Sequence, residues 1–423
     1  MTTNLTNKKE TKPKFRARLV PGILLIVVGL AILFLFGLNI QPGQQATFGL
    51  TPQGDTNVIP IPDLTLPVQT SIYVLVLVAF FLGAWQLARG IRSTGLMVGV
   101  IALCFVGAFL IWAAKGKSMD LVGMMNTSLV RATPIALAAL CGVVSERSAV
   151  INMGIEGIML MSALASVTVA TLTHNLYMGL LAGMLTGMLI GALHAFLCIK
   201  FKVDQIISGV AINIVGTGIT SFISNRYMQA HAEQINNSGI FPNIPIPLLV
   251  KIPILGPVIF ENNLIVYIML ILVAVVFVIL FYTRWGLRTR AVGEHPKAAD
   301  TLGINVFMTR YVNVIAGGLI AGIGGAYFTI GSVGRFDKLM TAGKGFIGLA
   351  AMIFGNWNPL GALGSSLIFG FADSLQVKMQ ILKTPIPSEF LQMAPYLITI
   401  VVVAGLVGNV HTPAADGAVY EKQ

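Results

Sequence analysis

Charged side chains are scarce in this sequence. Asp, Glu, Lys and Arg make up 10% of its 423 residues, whereas 56% are hydrophobic. A soluble domain usually carries about 25% charged residues, so this chain lacks the polar groups needed to cover a globular surface in water. The composition therefore predicts an integral membrane protein. The formal net charge of +11 falls in short clusters between apolar runs, which is typical of membrane loops and does not indicate a nucleic-acid partner.

Cysteine pairs and the usual signatures of catalysis are missing. Cys104, Cys141 and Cys198 lie in apolar segments without pair spacing, so we interpret them as buried, unreactive thiols. No Ser/His/Asp, Cys/His or metal-ligand spacing is present, and we predict neither catalytic nor metal-binding residues. The phosphate-binding pattern G-x-x-x-x-G-K-[ST] is absent as well. Any transport against a gradient must therefore draw its energy from another chain or from an ion.

Uncharged runs long enough to cross a bilayer, which takes about 20 apolar residues, recur along the chain. The runs lie at 19–39, 70–87, 94–114, 157–173, 176–199, 205–224, 264–283, 311–333 and 395–408, with shorter ones at 132–144, 345–354 and 361–371. They predict an all-α integral membrane protein, a polytopic bundle of roughly 10–12 transmembrane helices, some broken or re-entrant. The first run is too long for a signal peptide, and a Pro- and Gln-rich loop follows it to Pro67.

Basic residues set the predicted orientation, because cytoplasmic loops carry an excess of Lys and Arg. Residues 1–18 and the loop 284–310 have such an excess, whereas the loop 225–263 has none. We therefore predict a plasma-membrane protein with both termini in the cytoplasm. Its organisation would be a basic tail at 1–18, one membrane domain at 19–410 with a cytoplasmic loop at 283–308, and a C-terminal tail at 411–423.

The cytoplasmic loop contains a short polar helix. Pro296 suits a first helical position, and Gly303 suits a left-handed end. The seven or so residues from one to the other span roughly 10 Å of helix, too little to be stable alone in water. We expect Ala298, Ala299 and Leu302 to present a small apolar face that docks against another surface, with Lys297 and Asp300 beside it.

A polar interruption at residues 145–157 is the first candidate for a functional site within the membrane. Irregular backbone at membrane depth is tolerated only where protein or a water-filled cavity satisfies it, and broken helices often line transport pathways. Glu146 and Arg147 are more simply interpreted as a solvated turn. Asn152 and Glu156, with Gly154 and Gly157, are candidates for a structural or pathway role. Glu156 also suits the start of a helix, where the dipole favours a carboxylate.

Three further polar positions lie in apolar sequence. Asn213, near Ser208 and Gly209, is a candidate for helix packing or for the pathway. Asp373, with Gln376 one turn later, is a functional candidate if it lies within the membrane, or an outer-interface residue if it does not. We expect His194 to be a satisfied packing residue.

Three motifs in the same order resemble one family of permeases. Residues 145–157 closely resemble the "ERSGVINLGIEG" signature of the permease subunits of nucleoside and simple-sugar ABC importers, with Ala149 and Met153 as departures. Residues 290–306 are similar to the family's "RAVGENPRAADTAGINV", with His295, Lys297 and Leu302 as departures. Residues 343–376 are similar to its late glycine-rich helices. The resemblance covers 115–410 and extends to branched-chain amino acid and ribose permeases.

The resemblance implies a set of partners and a role for the cytoplasmic loop. The chain would pair with a second permease, as a heterodimer, and a cytoplasmic ABC ATPase would use ATP, so that this chain needs no cofactor. An extracellular lipoprotein would deliver nucleoside. Residues 283–308, which we call the coupling loop, would dock on the ATPase. The residues that carry this role by resemblance are Arg290, Gly293, Glu294, Pro296, Lys297, Ala298, Ala299, Asp300 and Gly303.

Three alternatives stay open at this point. Simple sugars are the alternative substrates within the family. A secondary transporter driven by an ion gradient would need an ionisable pathway residue, for which Glu156 and Asp373 are the candidates. A passive channel or scaffold would have no use for a docking helix, so the coupling loop argues against it.

Overall fold

Long apolar helices dominate the chain, because each uncharged run folds so that its backbone hydrogen bonds are satisfied within the run. A computed structural model describes residues 15–38, 40–52, 58–89, 94–384, 387–393 and 411–422. Within these ranges, nine helices are long and apolar enough to cross a bilayer, and two shorter apolar helices lie at Gly99–Ala113 and Lys344–Phe354. The predicted all-α polytopic fold is confirmed. The expected span at 395–408 lies outside the described residues.

Backbone contacts group the described residues into two compact units, where the sequence predicts one membrane domain. The first unit comprises the described residues of Met1–Asp55, Pro60–Leu121 and Met379–Ile386, and the second those of Thr56–Ile59, Val122–Lys378 and Pro387–Gln423. The first unit contains helices α1 (Phe15–Ile32), α2 (Val68–Ala88) and α3 (Thr94–Ala113) and strands β1 (Gln45–Gly49), β2 (Leu64–Pro67) and β3 (Ser118–Asp120).

The strands of the first unit were not expected, since the sequence predicts only a loop up to Pro67. β1 pairs with β2 in antiparallel fashion, with Gln45 opposite Pro67. It pairs with β3 in parallel fashion, with Thr47 opposite Ser118. Main-chain hydrogen bonds along both edges of β1 therefore hold the described strands of this region together.

The second unit contains most of the helices. They are α4 (Leu121–Glu146), α5 (Ile155–Thr173), α6 (Leu176–Ala195), α7 (Gln205–Ile223), α8 (Ala232–Ile235), α9 (Leu255–Ile259), α10 (Leu264–Tyr282), α11 (Arg284–Glu294), α12 (Pro296–Thr301), α13 (Val306–Phe328), α14 (Lys344–Phe354), α15 (Pro359–Ile381) and α16 (Ser388–Gln392). Single π-helical turns extend α6, α7 and α13 to Lys200, Met228 and Val333. A hairpin of β4 (Asn243–Pro245) and β5 (Glu261–Asn263) lies in the long loop before α10.

Helix α4 forms the centre of the second unit. Every residue from Ala132 to Glu146 is buried, so small side chains predominate and neighbouring helices approach closely. The sequence predicts only a short span at 132–144, and this boundary is wrong. Polar residues lie in the first half of α4, before the predicted span, and Thr127 and Ser128 donate to the Gly123 and Met124 carbonyls at 2.7 Å each. Such bonds to the preceding turn satisfy hydroxyl groups inside a helix.

Glycines allow α5, α6 and α13 to pack backbone to backbone. A Cβ atom added to Gly187 in α6 would lie 2.3 Å from the Gly318 carbonyl oxygen of α13. A Cβ atom on Gly325 would lie 2.2 Å from the Met159 carbonyl oxygen of α5. Both distances are shorter than any real contact, so no larger residue fits without moving a helix. Small residues at such crossings are the usual means of helix association in membranes.

Helix α15 is also longer than expected. The sequence predicts a short segment at 361–371, whereas the helix runs to Ile381. Asp373 and Ser374 lie beyond the predicted run, but both are buried within the helix, at 8% and 0% exposure. Their partners, which lie on distant parts of the chain, explain why the helix continues through them.

Candidate functional site

The interruption at 145–157 is an irregular segment held by side chains. After α4 the backbone leaves the helix, with Ala149 at φ +63°, and α5 begins at Ile155. Asn152 is fully buried, and its side-chain oxygen accepts from the Gly154 N–H at 3.1 Å. The Ile151 N–H donates to Gln205 Oε1 at 2.7 Å. Side chains therefore satisfy the backbone groups that the broken helix frees.

Asn213 joins this segment to α7. Its Oδ1 accepts from the Gly157 N–H at 2.8 Å, and its Nδ2 donates to the Met153 carbonyl at 2.7 Å. A Cβ atom on Gly157 would lie 2.6 Å from the Ile212 carbonyl oxygen, so the glycine is required for this close approach. The amide of Asn213 is thus used in packing, which is one of the two roles considered from the sequence.

His194 lies beside the same segment. Its Nδ1 is 3.0 Å from Ser208 Oγ, and its Nε2 is 3.0 Å from the Ile151 carbonyl oxygen. With both ring nitrogens paired and the side chain fully buried, the predicted packing role is confirmed.

Glu156 anchors the start of α14. Its carboxylate accepts from Thr341 Oγ1 at 2.6 Å, from the Gly343 N–H at 2.8 Å and from the Gly345 N–H at 2.6 Å. Free N–H groups at a helix start attract negative charge, and the carboxylate of Glu156 supplies the acceptors for two of them and for the Thr341 hydroxyl. Glu156 therefore lies at the first turn of its own helix, as expected, and also caps a second helix almost two hundred residues later.

Asp373, on α15, also contacts the start of α14. It forms an ion pair with Lys344, the first residue of α14. Asp373 is 8% exposed and is thus surrounded by protein. Gln376, one turn later on α15, is partly buried. Sequence reasoning missed Thr341 and Lys344. The position of Lys344 between two glycines was a signal, but it was set aside because the full phosphate-binding pattern does not surround it.

The coupling loop consists of two short helices with separate caps. Thr283 Oγ1 accepts from the Gly286 N–H at 3.2 Å before α11, and His295 Nδ1 accepts from the Ala298 N–H at 3.2 Å before α12. Pro296 is the first residue of α12, and Gly303 has φ +78°. The predicted start and the left-handed end of this helix are both confirmed.

The two faces of α12 differ from the expected arrangement. Ala299 is 2% exposed and packs with Val292, Val306 and Tyr420. Lys297 and Ala298 are exposed, and Leu302 is 81% exposed. Ala299 therefore holds α12 to its own chain and does not belong to the outer face. Lys297, Ala298 and Leu302 form the exposed face, which we call the docking face.

The remaining predicted coupling residues connect the loop to the rest of the second unit. A Cβ atom on Gly293 would lie 2.3 Å from the Arg147 carbonyl oxygen, so α11 touches the turn after α4 directly. Arg290 lies over the Phe281 ring, with its guanidinium carbon 5.2 Å from the ring centre. Asp300 accepts a hydrogen bond from Tyr420. The coupling loop is thus in direct contact with the 145–157 segment.

The segment 411–422 is a part of this region that sequence reasoning treated only as a tail. The Ala415 N–H donates to the Gly293 carbonyl at 2.9 Å, and the Ala414 N–H donates to Glu294 Oε2 at 3.3 Å. Arg310 Nη1 donates to the Ala418 carbonyl at 3.0 Å. The segment is therefore bound along the coupling loop, although its sequence shows no motif that would have predicted this.

Glu146 and Arg147 are not a solvated turn, as the sequence suggested. Glu146 is 5% exposed, and its Oε2 accepts from the Trp357 indole N–H at 2.6 Å. Arg147 is partly buried and its Nε donates to the Trp357 carbonyl at 2.9 Å. This interpretation is wrong because Trp357, two hundred residues later, supplies partners that replace water.

Burial raises the pKa of Asp416 to about 6, from an ordinary value of 3.8, and outweighs the hydrogen bond with Glu146, which lowers this pKa. A raised pKa means that Asp416 is protonated more readily when the segment 411–422 is bound than when it is released. Binding of 411–422 is then strongest at low pH, weakens as pH rises from about 3.8 to about 6, and changes little above that through this group.

We expect hydrogen exchange of the amides in 411–422 to become roughly tenfold faster between pH 5 and pH 7, after correction for intrinsic exchange. Asp416→Asn should flatten this dependence, because the ionisation is removed. Glu421→Gln is the matched control: contact with Lys202 lowers the pKa of Glu421, so its titration lies below this pH range. An unchanged pH dependence in Asp416→Asn would contradict the assignment.

Comparison with known proteins gives a family match and a set of similar proteins. The family model described as branched-chain amino acid transport system / permease component matches residues 124–410. The guanosine ABC transporter permease protein NupQ of Bacillus subtilis (strain 168) is 41% identical, and the match covers 72% of this chain and 99% of the length of NupQ. The nucleoside ABC transporter permease protein NupC of Lactococcus lactis subsp. cremoris is 40% identical, and the match covers 70% of this chain and 95% of the length of NupC.

A third relative carries a different substrate in its name. The putative glucose ABC transporter permease protein TsgC13 of Haloferax volcanii is 37% identical over 61% of this chain and 78% of its own. No solved structure matches the chain. The family match covers well over half of the sequence, including the irregular segment, the Glu156 cap and the coupling loop. The chain therefore belongs to the family of permease components of branched-chain amino acid type transport systems.

Proposed function

We propose that this chain is the transmembrane permease subunit of an ATP-driven ABC importer of nucleosides. Two relatives that carry guanosine and nucleoside in their names, NupQ and NupC, are about 40% identical to this chain over most of their length. The observation that carries the mechanism is the docking face, an exposed apolar surface on a short helix that is fixed to the turn after α4. The chain itself would hydrolyse nothing and hold no cofactor, with ATP used by a partner.

In this mechanism the docking face binds a cytoplasmic ABC ATPase. Closure of the ATPase displaces the coupling loop, and the contact of Gly293 with Arg147 passes that displacement to the 145–157 segment. Asn213 and Glu156 connect this segment to α7 and α14. The force therefore reaches the broken helices that would border the pathway, without any contact of the coupling loop with substrate.

The other partners follow from the same proposal. A second permease would complete the pathway as a heterodimer, and an extracellular lipoprotein would deliver nucleoside to it. The chain would lie in the plasma membrane with both termini in the cytoplasm, which places the coupling loop beside the ATPase. An excess of Lys and Arg in that loop supports this orientation.

Simple sugars are the second candidate substrates, since one relative is named for glucose. An ion-coupled mechanism has less support. Asp373 is paired with Lys344, and Glu156 accepts three hydrogen bonds, so each candidate ion-binding carboxylate already has partners.

The experiment is uptake by vesicles that contain this chain with its ATPase, second permease and lipoprotein. We expect uptake of labelled guanosine or inosine to require ATP on the side of the vesicle membrane that corresponds to the cytoplasm. Ionophores should not affect this uptake. Excess unlabelled nucleoside should compete, whereas glucose should not. Uptake that persists without ATP and stops with an ionophore would overturn the ATP-driven mechanism. Competition by glucose and not by nucleoside would overturn the assignment of nucleosides as the substrates.

A further inference from the structure

Helix α12 is too short to hold its own position. It has six residues, Pro296–Thr301, and isolated helices shorter than about 12 residues are marginal in water. Ala298 and Leu302 are four residues apart and lie on the exposed side, whereas Ala299, about 100° further round the axis, is buried. The direction of the docking face therefore depends on the residues that pack against Ala299.

Tyr420 packs beneath Ala299. Its side chain is 5% exposed and lies in one cluster with Val292, Ala299 and Val306. Its ring centre is 5.3 Å from that of Phe307, within the range of favourable aromatic contacts. Of the described residues in this cluster, only Tyr420 lies outside the coupling loop. Tyr420 is thus the side chain by which the rest of the second unit holds the inner face of α12.

The hydroxyl group of Tyr420 reaches α12 as well. Asp300, the residue after Ala299, accepts a hydrogen bond from it. A tyrosine combines a large apolar ring with a polar tip, and both parts are used here. One side chain therefore contacts α12 at two consecutive residues.

Tyr420 is itself fixed on both sides along the chain. Two residues earlier, the Ala418 carbonyl accepts from Arg310 Nη1 at 3.0 Å, and Arg310 lies on α13 with 3% of its surface exposed. The next residue, Glu421, pairs with Lys202 in the loop before α7. Because an exposed ion pair contributes little to stability, the buried contact with Arg310 is the main anchor. The ring is therefore attached to a membrane helix and does not depend on the coupling loop for its position.

We propose that Tyr420 is a positioning residue, which holds α12 in the orientation that lets the docking face bind the ATPase. This inference rests on the proposed function. Removing the ring takes away the packing under Ala299, so α12 adopts this orientation in only a fraction of the chains. The apparent dissociation constant for the ATPase then equals the intrinsic constant divided by that fraction. Tyr420 is almost inaccessible to a partner, so the complex, once formed, is unchanged.

The first test varies the ATPase concentration in the reconstituted importer and measures both ATPase retention and ATP-driven guanosine uptake. For Tyr420→Ala we expect the concentration for half-maximal retention to rise about tenfold, as it does when a tenth of the chains hold α12 correctly. Uptake at saturating ATPase should equal the native rate. Tyr420→Phe keeps the ring and should restore a nearly native concentration. Val419→Ala is the matched control, because Val419 is the preceding residue but is 49% exposed, and it should behave as the native chain does.

The second test follows α12 by hydrogen exchange in the permease alone, without ATPase or substrate. The Ala299 and Ile304 N–H groups donate to the His295 and Ala299 carbonyls, so they are protected while α12 is held. We expect them to exchange about tenfold faster or more in Tyr420→Ala. The melting temperature should stay native, because the membrane helices keep their contacts.

Three outcomes would overturn the inference. A lower uptake rate at saturating ATPase, with an unchanged half-maximal concentration, would assign Tyr420 a structural role. Equal weakening by Val419→Ala would mean that the segment 411–422 contacts the ATPase directly. Native retention and native exchange in Tyr420→Ala would show that other contacts hold α12.

A further variant and the native chain keep these results interpretable. If Tyr420→Ala does not assemble, Tyr420→Leu keeps apolar volume but removes the aromatic contact and the hydroxyl group, and the same changes in smaller degree are expected from it. A native permease that retains no ATPase would refute the proposed function. Native ATPase retention that Tyr420→Ala leaves unchanged refutes only the role of Tyr420.

Discussion

Replacing Ala298 and Leu302 together by aspartate is expected to abolish uptake, by about a hundredfold or more, while the chain stays inserted and folded. Both residues are exposed on the docking face, so the change removes apolar contact area and adds charge only at the proposed ATPase interface. Loss of a central apolar contact in an interface commonly costs about 2 kcal/mol or more, and unpaired charges there cost further affinity. The measurements are uptake by reconstituted vesicles and retention of the ATPase on the purified permease.

Leu248→Asp is the matched control, because Leu248 is also an exposed leucine, at 79%, but lies far from the coupling loop in sequence. It should keep both uptake and ATPase retention. Ala299→Asp would be a poor test, since Ala299 is buried against Val292, Val306 and Tyr420 and its replacement would disturb the fold. Full ATPase retention by the Ala298→Asp and Leu302→Asp double variant would contradict the docking role.

Glu156→Ala is expected to release the start of α14 and to stop uptake. The substitution leaves the Thr341 hydroxyl and the Gly343 and Gly345 N–H groups without their acceptor. A buried donor left without its acceptor commonly costs about 1–3 kcal/mol, so we expect a clear fall in the melting temperature of the detergent-solubilised protein. Limited proteolysis should show new cleavage in 334–343, the irregular segment before α14.

Glu156→Gln separates the loss of charge from the loss of shape. Glutamine keeps one acceptor oxygen but turns an NH2 group toward N–H donors, so its melting temperature should fall between those of the native protein and Glu156→Ala. Glu389→Ala, at an exposed carboxylate, should leave the melting temperature unchanged. A native melting temperature and protease pattern in Glu156→Ala would show that other contacts hold α14.

Local chemistry in the sequence was sufficient to place the coupling helix. Pro296 and Gly303 have backbone requirements that act within one turn, and the helix begins and ends where they predict. The predicted span at 132–144 missed the first half of α4, which contains the polar residues Asn126, Thr127 and Arg131. Hydroxyl groups can bond to the preceding turn, and Asn126 donates to the Pro257 carbonyl at 2.8 Å, so polarity there did not mean exposure to water.

The candidate sites depended on pairs that no local pattern contains. Glu156 was predicted as a capping or pathway residue, but Thr341 and Gly343 lie more than 180 residues later. Trp357, which buries Glu146, is 211 residues away from it. The binding of 411–422 along Gly293 and Glu294 likewise uses backbone groups, which every sequence contains. Contacts of this kind require the tertiary structure.

The backbone contacts of α6 and α13 restrict where the protein can change shape. Gly183, Gly187, Gly318 and Gly322 bring two main chains within touching distance, so neither helix can slide past the other without a steric clash. Interfaces of this tightness move as one body, and hinges fall where regular structure is already interrupted. We therefore expect α6 and α13 to move as one body, so that any change of shape falls in irregular segments such as 147–154 and 334–343.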